Sequence, residues 1–157
     1  MPVKVLFVCL GNICRSPTAH GVFQGLLDQH GLNNIICVDS AGTAAWHVGK
    51  SPDTRSCEAA AKRGYDLSHL SARQVVQGDF DEYDYVLAMD VENLQNLKRL
   101  APEGYSGHLG LFLDFSEKHD DTEVPDPYYG GAQGFEWVLD LTESASSGLL
   151  AHILNEQ

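Results

Sequence analysis

Residues Val3–Pro17 read VKVLFVCLGNICRSP. Val3 to Val8 is a continuous apolar, β-branched run, the pattern of a strand buried on both faces of a parallel sheet. Pro17, whose fixed φ suits the first helical position and whose missing N–H costs nothing there, marks a helix start. That helix is expected over 17–30, with Val22, Phe23, Leu26 and Leu27 on one face and His30-Gly31 as its stop. Between strand and helix lies the loop CLGNICRS, Cys9 to Ser16. A loop in that place aims successive backbone N–H groups, here those of Leu10, Gly11, Asn12, Ile13 and Cys14, at one point, and the helix end adds a partial positive charge. Gly11 and Asn12 tolerate the positive φ that an anion nest needs. Arg15 adds a planar fork of donors suited to phosphate oxygens. The same field favours a thiolate over a thiol at Cys9, which makes it the candidate nucleophile. Ser16 can donate a hydrogen bond to that sulfur and help it leave later.

Other phosphate or metal motifs fit less well. A nucleotide-binding loop needs a glycine-lysine-Ser/Thr ending, and a dinucleotide site needs its own glycine fingerprint; the chain has neither. Cys9 and Cys14 are not separated by the two-residue gap of a zinc knuckle, and no second pair follows. No metal or cofactor is expected.

The remaining chain alternates strands and helices. Strands are expected at Ile35 to Ser40, Tyr83 to Met89 and His108 to Leu113; helices at Pro52 to Arg63, Val91 to Leu100 and Gly134 to Asn155. This order argues for right-handed βαβ units: an α/β fold with an open parallel four-stranded sheet and helices on both faces, of the Rossmann or flavodoxin-like kind. Ligands of such sheets sit beyond the carboxyl ends of the strands, where Cys9 to Ser16 lies. With 157 residues, 43% of them hydrophobic, one domain over 1–157 with a sizeable core is expected. A net charge of −12 argues against a nucleic-acid partner. Four cysteines without disulfide-framework spacing point to a reducing compartment. One lysine before a six-residue apolar run is too little for a secretory leader or a membrane span, so a cytoplasmic location without membrane insertion is expected.

Cleaving a phosphomonoester also requires a proton for the departing oxygen. Asp126 is the first candidate for that acid, because Pro125 and Pro127 restrict the backbone on either side. Asp120, Asp121 and Glu123 lie nearby, and the residues alone leave them open. Trp46, Tyr128 and Tyr129, with the apolar Ile13, could form an aromatic slot for a phenyl ring. A phosphoprotein-binding module with an incidental thiol is a rival, although binding needs neither the thiol nor the acid.

The segments CLGNICRSPTAHGVF at the start, VDSAGT at 38–43, SARQ at 71–74, YVLAMD at 85–90 and DPYYGG at 126–131 resemble the low-molecular-weight protein tyrosine phosphatases. The resemblance implies a metal-independent phosphomonoester hydrolase acting on tyrosine-phosphorylated proteins through a phosphocysteine intermediate. It assigns nucleophile, phosphate clamp and acid to Cys9, Arg15 and Asp126, and the pocket entrance to Trp46 and Tyr128. Ile13 favours phosphotyrosine, since a related branch that acts on phosphoarginine has threonine there. An arsenate reductase on this fold uses a further cysteine pair late in the chain, and no cysteine follows Cys57 here. The family's supporting histidine falls at Leu70 in this chain, so His69 is expected on the surface. Asn12 is expected in a left-handed conformation with Ser40 bonded to it, Cys37 and Cys57 are expected to be buried, and Cys14 could pair reversibly with Cys9 under oxidation. A monomer is expected, with weak self-association through Tyr128 and Tyr129 as an alternative.

Overall fold

In the computed structural model, which describes residues 2–128 and 130–156, strand β1 (Val3–Cys9) runs through the middle of a parallel sheet. Its side chains alternate between two cores: Val5, Phe7 and Cys9 enter one, Leu6 and Val8 the other. Such two-sided burial requires covering on both faces, which is what the continuous apolar run implies. β2 (Ile36–Gly42) pairs along one edge of β1, from Val3 opposite Ile36 to Cys9 opposite Gly42. β3 (Tyr85–Ala88) pairs along the other edge, and β4 (His108–Leu111) pairs with β3. The order is β2-β1-β3-β4, all parallel, so the fold is the open α/β sheet expected.

Helices α1 (Arg15–His30) and α5 (Ala132–Asn155) cover the face bearing Phe7. There the Phe7 ring meets Phe23 and Phe112 edge-on, with centroids 5.8 and 4.8 Å away, the preferred geometry of aromatic pairs. The short α3 (Asp79–Glu82) and α4 (Val91–Leu100) cover the other face with Phe80 and Leu97. α2 (Thr54–Lys62) lies outside α1 and α5, where Ala59 and Ala60 pack with Val22, Phe135 and Leu139. Among the described residues no helix is long and apolar enough to cross a membrane.

Several boundaries differ from the sequence-based expectation. α1 starts at Arg15, two residues early, so that Arg15 and Ser16 stand on its first turn; Pro17 is tolerated there because the first four helical N–H groups have no acceptor within the helix. β2 begins one residue late and continues to Gly42. α2 is trimmed at both ends, capped by the Asp53 side chain, which accepts from Arg55 N at 2.8 Å. β3 is shorter than expected at both ends; at its start Tyr83 is taken up as the C-cap of α3, its N–H donating to Asp79 O at 2.9 Å. β4 stops at Leu111 and a 3₁₀ turn follows over Phe112–Phe115, which carries the Phe112 ring inward onto Phe7. α5 begins at Ala132 rather than Gly134. Cys37, expected to be buried, is exposed: it lies opposite Lys4 near the start of edge strand β2. Cys57 is half-buried.

α5 is seated very closely on the 3₁₀ turn, where a methyl group on Gly148 would fall 1.7 Å from the Phe115 carbonyl oxygen. Gly148→Ala should therefore force two backbones apart and cost about 1–3 kcal/mol, read as a lower urea midpoint at unchanged slope. Gly78→Ala, where a methyl group meets open space, should stay within about 0.5 kcal/mol of wild type.

Candidate active site

The loop after β1 is braced from the side by the end of β2. Thr43 N donates to Cys9 O and Ala44 N to Leu10 O, both at 2.9 Å. Gly42 permits this approach: a Cβ there would sit 2.7 Å from Leu10 O and 3.1 Å from Asn12 N. Asn12 adopts φ 58°, the left-handed conformation expected of it. Its amide is used at both ends. Oδ1 accepts from Arg73 N at 3.0 Å, and Nδ2 donates to Ser16 Oγ at 2.7 Å. The expected Ser40 partner is not the one found; Ser40 Oγ instead lies 3.1 Å from His20 Nδ1 on α1. Burial lowers the pKa of His20, and His69 acts in the same direction against Asp39.

Cys9 Sγ sits at the centre of this arrangement. Ser16 Oγ is 3.0 Å away and Asn12 N donates to the sulfur at 3.3 Å. The Ser16 hydroxyl has one proton, for which the sulfur competes with Ala41 O at 3.3 Å. When the sulfur is ionised, the charge-assisted bond is favoured. Asn12 and Ser16 are buried beneath the loop rather than in its walls.

Arg15 crosses to the neighbouring strand. Its Nη1 donates to Asp90 Oδ2 at 2.7 Å and to Val124 O at 3.0 Å, and its side chain is only 4% exposed. Asp90 ends the β3 side and caps α4, with Oδ1 accepting from Asn93 N at 2.7 Å. One carboxylate thus fixes a helix and a guanidinium. Burial works against the Arg15 charge, but Cys9, Asp90 and Asp126 outweigh it and hold the pKa above its ordinary value. Asp126 Oδ2 lies 3.9 Å from Arg15 Nη2. The segment carrying it is anchored by Val124 N donating to Met89 O and Val91 N donating to Glu123 Oε2, both at 2.8 Å. Glu123 therefore has a structural partner.

One pocket is lined by Cys9, Arg15 and Asp126 together, with Ile13, Trp46 and Tyr128 adding apolar surface. Leu10, Gly11 and Cys14 also line it. Trp46 is 70% exposed at the rim. Tyr129 lies outside the described residues. Burial pushes the Cys14 thiol up to about 12, so it is a packed, protonated thiol at neutral pH. His69 is exposed and 4.0 Å from Asp66, away from the pocket lining.

Three participants were not read from the sequence. Asp90 had a signal in its place at the junction of an apolar strand and a helix, on the same sheet end as the loop. Arg73 is tied to the loop through its backbone N–H, which leaves no side-chain signature. His47 lines the pocket and packs over Gly11, where a Cβ would meet its Cδ2 at 2.9 Å; a lone histidine in a loop carries little information.

The chain matches the model of the low molecular weight phosphotyrosine protein phosphatase family over residues 4–157. It is 42% identical over 155 residues to the low molecular weight protein-tyrosine-phosphatase YfkJ of Bacillus subtilis, covering 99% of this chain and 98% of that one. The fold superposes on a protein tyrosine phosphatase from Entamoeba histolytica with a TM-score of 0.95 at 41% identity, covering 98% of both chains. It also superposes on a Drosophila arginine phosphatase with a TM-score of 0.90 at 30% identity, over 96% of this chain and 98% of that one. Sequence, fold and the loop around Cys9 agree: the chain belongs to the low-molecular-weight protein tyrosine phosphatase family.

Proposed function

We propose that the protein removes phosphate from tyrosine-phosphorylated proteins in the cytoplasm through a phosphocysteine intermediate, with Cys9 as nucleophile and Asp126 as general acid. The observation that carries this reading is the meeting of three groups in one pocket: a sulfur with two hydrogen-bonding neighbours at 3.0 and 3.3 Å, the buried Arg15 and the carboxyl of Asp126.

Substrate phosphate enters as an anion, drawn by the loop N–H groups and Arg15. The Cys9 thiolate attacks phosphorus in line with the ester oxygen, forming the S–P bond as the P–O bond breaks. Asp126, protonated at this step, transfers its proton to the leaving phenolic oxygen. It is left as a carboxylate and takes a proton from the water that then attacks phosphorus. The S–P bond breaks, and the Ser16 hydroxyl stabilises the returning thiolate. Arg15 and the loop bear the charge of the equatorial oxygens in both steps. Asp90 keeps the Arg15 fork in one orientation, so little of its side-chain entropy is lost on binding.

The walls support an aryl substrate. Trp46 and Tyr128 both line the pocket and offer aromatic surface to a flat ring, and Ile13 offers a methyl surface where a polar side chain would suit a guanidino phosphate. The arginine phosphatase has the same fold, so the wall chemistry, not the architecture, supports phosphotyrosine.

Para-nitrophenyl phosphate hydrolysis should be lost in Cys9→Ser, be blocked by orthovanadate and be unaffected by EDTA; activity that survives Cys9→Ser or disappears with EDTA contradicts the proposal. Asp126→Ala should lower kcat/KM for phenyl phosphate by about 100-fold or more and for strongly activated esters far less. An equal loss on both would place the acid elsewhere. Iodoacetate at pH 7 should label Cys9 and spare Cys14, with inorganic phosphate protecting; label on Cys14 would contradict the inert thiol described above.

A further inference from the structure

Asp126 is 39% exposed by side chain, and 3.9 Å is too long for its contact with Arg15 to fix its direction. The short bond that orients it is local: Tyr128 N donates to Asp126 Oδ1 at 3.0 Å. The direction of the carboxyl therefore follows the backbone at Tyr128. Its ring lies beneath the Arg55 guanidinium, 5.3 Å from carbon to centroid, and the same guanidinium covers the Phe135 ring of α5 at 4.8 Å. Both distances are within the range of cation–π attraction.

Arg55 is fixed in turn. Its Nε and Nη2 donate to the two oxygens of Asp53 at 3.1 and 2.9 Å, a parallel pair that sets the guanidinium plane. Asp53 N donates to Ile13 O at 2.8 Å. A continuous set of contacts thus runs from the loop at Ile13 through Asp53, Arg55 and the Tyr128 ring to the carboxyl of Asp126. Arg55 does not line the pocket, and its side chain is 44% exposed, so it meets the hydrophobic cores only at the Phe135 ring.

We propose that Arg55 is a positioning residue for the general acid: by holding the Tyr128 ring against α5 it fixes the backbone N–H that orients the Asp126 carboxyl over the pocket. This inference rests on the reading of Asp126 as the acid. Its effect is on proton delivery to the leaving oxygen, so it scales with how much the leaving group needs that proton. A cation that only drew phosphate into the pocket would instead affect all esters alike, and lysine would replace it. Only arginine combines the fork on Asp53 with a flat face on two rings.

The test compares kcat/KM for phenyl phosphate and for 2,4-dinitrophenyl phosphate in wild type, Arg55→Ala, Arg55→Lys and Asp126→Ala, with the inhibition constant of inorganic phosphate alongside. Arg55→Ala and Arg55→Lys should each lose about 10-fold on phenyl phosphate and less than about 2-fold on the dinitrophenyl ester. Phosphate inhibition should stay within about 2-fold of wild type, and Arg55→Ala should add nothing further in an Asp126→Ala background. An equal loss on both esters, full rescue by lysine, weakened phosphate inhibition or additivity with Asp126→Ala would overturn the proposal. Should Arg55→Ala fail to fold, Arg55→Lys carries the same comparison. Failure of the underlying reading looks different: the wild type cleaves neither ester, or Asp126→Ala keeps its activity on phenyl phosphate.

Discussion

Asn12 at φ 58° is the constraint on which the pocket floor depends. A left-handed residue between Gly11 and Ile13 reverses the chain, sends its own N–H back to the Cys9 sulfur and turns its amide beneath the loop. Asparagine is among the few side chains that bear this conformation cheaply, and the cost is offset because Oδ1 and Nδ2 both find partners, the half-buried Arg73 N–H and the buried Ser16 hydroxyl. Those partners belong to different parts of the chain. Arg73 arrives from the segment after α2 and Ser16 stands on α1, so the one amide joins three elements at the sulfur.

Charge placement follows from this floor. A guanidinium with only 4% of its side chain exposed would be costly alone, and the Asp90 contact at 2.7 Å compensates it. Asp90 itself is 23% exposed, so the pair is partly buried, and the carboxylate both offsets the burial of the guanidinium and aligns it. The location has a topological cause. β1 is flanked by β2 on one side and β3 on the other, and the connections leave in opposite directions, which opens a crevice at the carboxyl ends of these strands. Cys9 ends β1, Asp90 follows β3, and the segment bearing Asp126 is pinned by Met89 O at the same sheet end. The protein has a net charge of −12, and over such an acidic body the anion attraction proposed for the loop and Arg15 is short-ranged rather than the work of a long-range field.

The β1 run and the Cys9–Ser16 loop were legible in the sequence because their reading is local: a two-sided apolar strand, a turn tolerant of positive φ, and a proline near a helix start. Two prolines single out Asp126, and only resemblance separates its acidic neighbours from it. What was missed depends on distant pairing. Nothing near Ser40 reveals that α1 brings His20 to it, and the backbone donation of Arg73 to Asn12 spans 61 positions. The end of β4 is not legible because Phe112 and Leu113 continue an apolar pattern, while the Phe7 ring that Phe112 meets from its 3₁₀ turn lies on another strand. Cys37 was misjudged from residue type alone, since an edge strand leaves part of its surface uncovered.

The most direct measurement is rapid acid quench of the Asp126→Ala variant during turnover of 2,4-dinitrophenyl phosphate, followed by peptide mass spectrometry. On the proposed mechanism the variant lacks the carboxylate that activates water, so a phosphocysteine intermediate should accumulate and the peptide containing CLGNICR should carry the mass of one phosphoryl group located on Cys9. Turnover with no phosphoryl group on that peptide, or with the group on Ser16, would contradict the account.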